Sequence, residues 1–406
     1  MSQFLKKILA AGRLVRSGKV AEATATIQRA LASGSTSPTR AASTFTSERA
    51  GFAASPEVAT TREPVATAPS WIDVEAFLAT EPAVVEAPGT HRFAESSFTC
   101  AAGTRSFKLF EPAGVGSTPR PLVVMLHGCT QNPDDFAAGT RMNELAAAQE
   151  VCVLYPAQAP RSNAHKCWNW FVPADQRRGQ GEPALIAGMT RHVMQTHAID
   201  ADRVYVAGLS AGGAMATILA REYPDLFAAA GIHSGVPAGV VHDVASAFTV
   251  MKAGPGTAAA WQTPMSASMP LWSAALSPTP SPTDKTLATL PSVPVIVFHG
   301  DADSTVASAN GDAVIAAALA SDDPSVRADS EGTSTNGARS FRRSVWHGEG
   351  AATDTPSLAE QWLIHGAPHA WSGGAPEGSY TDPAGPDASR EMLRFFLEHP
   401  RRRDKA

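Results

Sequence analysis

The pentapeptide Gly208-Leu209-Ser210-Ala211-Gly212 has the residue types and spacing of a serine nucleophile held on a tight turn. It follows an apolar, β-branched run at 203–207 and precedes a helical stretch at 211–222. A serine so placed leaves the end of a strand and enters the first turn of a helix. Side chains at the two flanking positions would crowd that turn, which is why glycine stands there. The helix N-terminus behind the serine favours negative charge developing near its Oγ. Glycine and serine are common residues, so the pentapeptide alone is a weak signal. Its strand-to-helix setting makes it specific.

A serine hydroxyl is a poor nucleophile without a base. In a fold carrying such a turn, an acid and then a histidine follow in chain order. Asp301 and Asp303 both stand in the loop after the apolar run 293–298, and either carboxylate can reach the sheet edge where Ser210 lies. The one that is not used stabilises its turn. Two histidines follow the run 361–364. His365 continues the strand and is expected to be buried against the sheet. His369 lies in the loop 366–374, where a base must sit, and is the candidate base. The remaining histidines have plain readings: His192 and His197 on a helix, His233 at a strand end, His347 and His399 at the periphery. His127-Gly128-Cys129 follows the run 122–126. The backbone N–H groups of Cys129 and of Ala211, the residue after the serine, are the candidate oxyanion hole. The useful group of Cys129 is then its amide, with its thiol free or in a disulfide.

These residues need a scaffold that gathers loops from distant parts of the chain. Residues 97–99 and 105–110 suggest an antiparallel pair. Short runs rich in Val, Ile and Leu follow at 122–126, 151–155, 203–207, 228–233, 293–298 and 361–364, with helical stretches at 140–149, 183–197, 211–222 and 387–398. Continuous apolar runs suit strands covered on both faces. Their alternation with helices predicts a doubly wound, mostly parallel α/β sheet, the α/β-hydrolase fold, over residues 93–400. Residues 243–291, rich in Pro, Ala, Ser and Thr, break this rhythm and are expected to form a lid or insertion. Apolar residues at helical spacing predict a small helical hairpin over 1–32. Residues 33–92 read as a Ser/Thr/Ala/Pro-rich linker with a short helix near Trp71.

Bulk composition narrows the function. With 406 residues, 44% hydrophobic and 17% charged, the chain has material for a sizeable core. A net charge of −5 offers no basic field for nucleic acid. No apolar stretch reaches the ~18 residues of a membrane span. Lys6 and Lys7 adjoin apolar residues, but Arg13, Arg16 and Lys19 interrupt the apolar core that a signal peptide requires, so the sequence reads as cytoplasmic. Cys100, Cys129, Cys152 and Cys167 lack zinc-site spacing, and their pairing is open.

Taken together and in this order, His127-Gly128-Cys129-Thr130-Gln131, Cys167-Trp168-Asn169-Trp170-Phe171, Gly208 to Met215, His299-Gly300-Asp301-Ala302-Asp303 and His369 to Gly374 resemble the polyhydroxybutyrate depolymerase family of esterases, itself similar to feruloyl and acetylxylan esterases. The resemblance spans about residues 94–398. It implies a triad of Ser210, Asp303 and His369 and an oxyanion hole of Cys129 and Ala211. It also implies hydrolysis of polyhydroxybutyrate-type polyester, its oligomers or short-chain esters, with no metal or organic cofactor, and an extracellular setting. Trp168 and Trp170 are candidate walls of the substrate crevice, or else packing residues. Two other functions compete: a feruloyl or acetylxylan-type carbohydrate esterase, and an idle adaptor that binds a partner through the N-terminal hairpin. Oligomeric state is open.

Overall fold

Every residue from Pro121 to Leu126 is buried, and a strand covered on both faces is the only extended element that such a run can form. In the computed structural model, which describes residues 90–114, 118–255, 293–320, 326–334, 338–348 and 355–401, this run is β3 (Arg120–Leu126). Its neighbours are β4 (Cys152–Pro156), β5 (Ile199–Leu209), β6 (Ala229–His233), β7 (Val295–Gly300) and β10 (Ala359–Ile364). These six strands run parallel in the order β4-β3-β5-β6-β7-β10. Antiparallel strands extend both edges: β2 (Gly103–Glu111) and β1 (Arg92–Cys100) beside β4, and β9 (Ser340–His347) and β8 (Val326–Thr333) beside β10.

The two-residue side-chain period of a strand divides the core. Leu122, Val124, Leu126, Val204 and Val206 enter one apolar cluster with Ile218 and Leu219 of α4 (Ala211–Glu222) and with Ile186 of α3 (Gly181–Thr196). Val123, Met125, Tyr205 and Ala207 enter the other, with Phe136 of α1 (Pro133–Thr140), Met142 of α2 (Met142–Ala148) and Phe395 and Phe396 of α7 (Ala388–Glu398). Helices therefore cover both faces, and the fold is a doubly wound, mostly parallel α/β sheet.

Several elements differ from the sequence expectation. The helix expected over 140–149 is α2, and a further helix, α1, precedes it across Arg141 with φ 53°. α1 starts earlier because the Asn132 side chain accepts from the Asp135 N–H as an N-cap. The region expected as a lid begins with α5 (Val244–Ala253), whose N-terminus carries a capping box between Asp243 and Ser246. Residues 256–291, the rest of that region, lie outside the described residues, as do the expected hairpin at 1–32 and the linker up to residue 89. α6 (Ala309–Ala318) and the β8–β9 hairpin were not anticipated. Among the described residues no helix is long and apolar enough to cross a membrane.

Candidate active site

Ser210 occupies the turn from β5 to α4 with φ 57° and ψ −117°, a conformation that side chains rarely adopt. The two motif glycines permit it. A Cβ on Gly208 would lie 2.3 Å from the Gly212 carbonyl carbon, and a Cβ on Gly212 would lie 2.0 Å from the Leu126 carbonyl oxygen. The turn is thus pressed against its own helix and against the end of β3. The Ser210 N–H donates to the His233 carbonyl at 2.9 Å, which fixes the turn to β6.

Asp303 lies in the loop after β7 with its side chain fully buried. Its Oδ2 accepts from His369 Nδ1 at 2.7 Å, and its Oδ1 accepts from the Thr305 and Val306 N–H groups at 2.9 and 2.8 Å. Burial alone would push this carboxyl up. The hydrogen bonds from His369 and the backbone outweigh it and hold Asp303 below the usual carboxylate range. An ionised carboxylate only accepts, so His369 carries its proton on Nδ1 and leaves Nε2 free to take another. His369 and Ser210 line the same cavity.

Asp301 and His365 form a second acid–histidine pair, 2.9 Å apart. Asp301 also accepts from the Gly366 N–H at 2.6 Å. This pair is not in the cavity wall, and the His365 side chain is 40% exposed rather than buried, because its strand ends at Ile364 on the open rim of the sheet. His399, expected at the periphery, is buried, its ring nitrogens meeting the Phe395 and Ser357 carbonyls at 2.6 Å.

Cys129 and Ala211 both line the cavity beside Ser210. Among the described residues neither amide is used in a backbone hydrogen bond. Cys129 is joined by a disulfide to Cys167, while Cys100 and Cys152 are free thiols. The Cys129 loop is braced by Gln131, whose side chain accepts from the Gly128 N–H at 2.8 Å and donates to the Ser379 carbonyl at 2.9 Å. Beneath it, buried Glu182 accepts from the Asn169 N–H at 2.7 Å and the Asn169 side chain at 2.9 Å, with Arg105 at 3.5 Å. That network holds segment 167–171 in place.

The two tryptophans of this segment separate. Trp168 is fully buried, donates its indole N–H to the His127 carbonyl at 3.1 Å and does not line the cavity, so of its two candidate places, crevice wall and packing, the wall is corrected to a core position. Trp170 lines the cavity, edge-on to Phe171. The cavity measures about 320 Å³. Leu209, Val236, Phe248 and Met251 complete its apolar wall, and Tyr380, 47% exposed, stands at its rim. No Asp, Glu, Lys or Arg is among the described lining residues. Phe248, Met251 and Tyr380 escaped the sequence reading. The apolar spacing of Val244, Ala247, Phe248 and Met251 was the available signal. Among the described residues no group of three or more His, Cys, Asp or Glu could hold a metal ion.

Residues 105–323 match the family model described as esterase PHB depolymerase. Poly(3-hydroxyalkanoate) depolymerase C of Paucimonas lemoignei is 39% identical over 200 residues, covering 49% of this chain and 44% of the relative. Feruloyl esterase B of Thermothelomyces thermophilus is 34% identical over 140 residues, covering 34% of this chain and 47% of the relative. The chain thus spans less than half the length of these curated relatives. Among solved structures, an acetyl xylan esterase from Aspergillus awamori shares the fold with a TM-score of 0.53 at 17% identity, over 75% of this chain and 99% of that one.

Proposed function

The chain belongs to the esterase PHB depolymerase family, and from that premise we propose that it hydrolyses carboxylic esters through an acyl-enzyme on Ser210. The observation that carries this is the 2.7 Å contact between His369 Nδ1 and a buried, ionised Asp303, at the cavity that Ser210 lines. His369 Nε2 takes the Ser210 proton as Oγ attacks the ester carbonyl carbon. Asp303 orients the imidazole and stabilises its charged form. The amides of Cys129 and Ala211 receive the oxyanion. The tetrahedral intermediate collapses, His369 protonates the departing alcohol, and the acyl group stays on Ser210. Water then repeats the sequence, with His369 as its base, and the free acid leaves.

We assign the substrate as polyhydroxybutyrate-type polyester, its oligomers and short-chain esters. An uncharged, largely apolar wall of Trp170, Phe171, Phe248 and Met251 suits a neutral aliphatic acyl group, whose burial contributes roughly 0.8 kcal/mol per CH₂. The second reading, ferulate or acetate esters of polysaccharide, draws on the relatives that carry those names. Release of 3-hydroxybutyrate, ferulate and acetate from matched substrates separates the two. Ser210→Ala should abolish hydrolysis of p-nitrophenyl butyrate in a protein that retains its circular dichroism spectrum. Activity at the wild-type level in that variant would remove the assignment.

A further inference from the structure

His233, the last residue of β6, is buried and makes two contacts that the reaction above does not use. Its carbonyl accepts the Ser210 N–H at 2.9 Å. Its ring Nε2 accepts the Ser372 N–H at 3.0 Å, three residues beyond His369. A backbone N–H can only donate, so Nε2 carries no proton. In a neutral ring the proton then sits on Nδ1, which lies 3.2 Å from Ser234 Oγ. The ring is held flat between Phe298 and Trp371, at 5.9 and 5.1 Å between centroids. One residue therefore holds the nucleophile turn by its backbone and the base loop by its side chain.

We propose that His233 is a positioning residue that sets the approach of His369 to Ser210 by joining the two loops that carry them. The role rests on the assignment of Ser210 and His369 as nucleophile and base. It differs from packing, because a flat apolar ring would fill the same space and keep the same stacking. What such a ring lacks is the acceptor for Ser372. Displacing a base by about 1 Å can cost a factor of about 100 in rate.

His233→Phe keeps the stack and removes the acceptor, while His233→Gln restores an acceptor on a side chain of similar reach. With p-nitrophenyl butyrate, His233→Phe should lower kcat by roughly 10- to 100-fold with KM within about threefold of wild type. His233→Gln should recover about tenfold of that loss. A kcat for His233→Phe within about twofold of wild type, or a Gln variant no faster than the Phe variant, overturns the proposal. The ¹⁵N-histidine spectrum of the wild-type protein at pH 7 tests it without any variant. His233 should be the Nδ1–H tautomer, and an Nε2–H tautomer contradicts the contact to Ser372. A wild-type protein without esterase activity refutes the functional assignment, and the tautomer result stands apart from that outcome.

Discussion

Asp303 and His369 are 66 positions apart in the chain, yet their side chains meet at 2.7 Å, with the carboxylate buried and two backbone N–H groups on its other oxygen. Asp301 stands two positions before Asp303 and His365 four before His369, and the two form a pair of the same chemistry at 2.9 Å. What separates the pairs is location. His369 lines the cavity with Ser210, and the Asp301–His365 pair lies on the open rim.

That difference predicts opposite outcomes for one chemical change. Asp303→Asn cannot hold the His369 tautomer or stabilise its charge, and kcat on a short p-nitrophenyl ester should fall about 10³- to 10⁴-fold. Asp301→Asn should leave kcat within about twofold. Steady-state kinetics on the two purified variants decide, and equal losses would mean that the pairs share the work.

Gly212→Ala should damage the protein before any chemistry is considered. The added Cβ would meet the Leu126 carbonyl at 2.0 Å, and the atoms it meets are backbone, which cannot swing aside as a side chain can. Forced overpacking of this kind costs typically about 1–3 kcal/mol. The same shift would disturb the His127-Gly128-Cys129 loop that leaves β3. Both the melting temperature and kcat should drop, and an Ala variant with wild-type melting would mean that the turn is looser than described.

Acid should destabilise the fold earlier than its carboxylates alone would require. Burial pushes His127 down to about 4 and His233 down to about 3, and lowers His299 as well. In the unfolded chain these rings titrate near 6.5. The folded state keeps them neutral while the unfolded state takes up protons, so the stability is fully present above pH 6.5 and is lost as pH falls toward 4 and 3. By pH 5, a gap of about 1.5 pH below the unfolded value removes roughly 2 kcal/mol for each of His127 and His233. Melting curves between pH 8 and pH 4.5 should fall by several degrees below pH 6.5. A flat profile over that range would show that these rings titrate normally in the folded protein.

Much of this site was readable in the chain because β3, β5 and β7 each carry a continuous apolar run toward their C-terminal ends. The runs that became β3, β5 and β7 end in loops bearing Cys129, Ser210 and Asp303, and the two-residue strand period then divided the core between two faces. The β8–β9 hairpin was not readable. Its residues include Arg327, Asp329, Glu331, Arg342 and Arg343, which give neither an apolar run nor a clean alternation. α6 is dominated by alanine, which favours a helix without marking a face. Trp168 and Trp170 lie in a loop with no period to orient them, so only the fold could bury one and bring the other to the cavity. Phe248 and Met251 were hidden because the Pro, Ala, Ser and Thr content of the region downstream masked the helix that carries them. His365 looked like the continuation of a buried strand, but the strand ends one residue earlier.

The nucleophile can be located directly. Wild-type protein treated with a fluorophosphonate, digested and sequenced by mass spectrometry should carry the adduct on Ser210, and Ser210→Ala should carry none. An adduct on another serine, or no adduct on a protein that hydrolyses p-nitrophenyl butyrate, would contradict the assignment of Ser210 as the residue that attacks the ester.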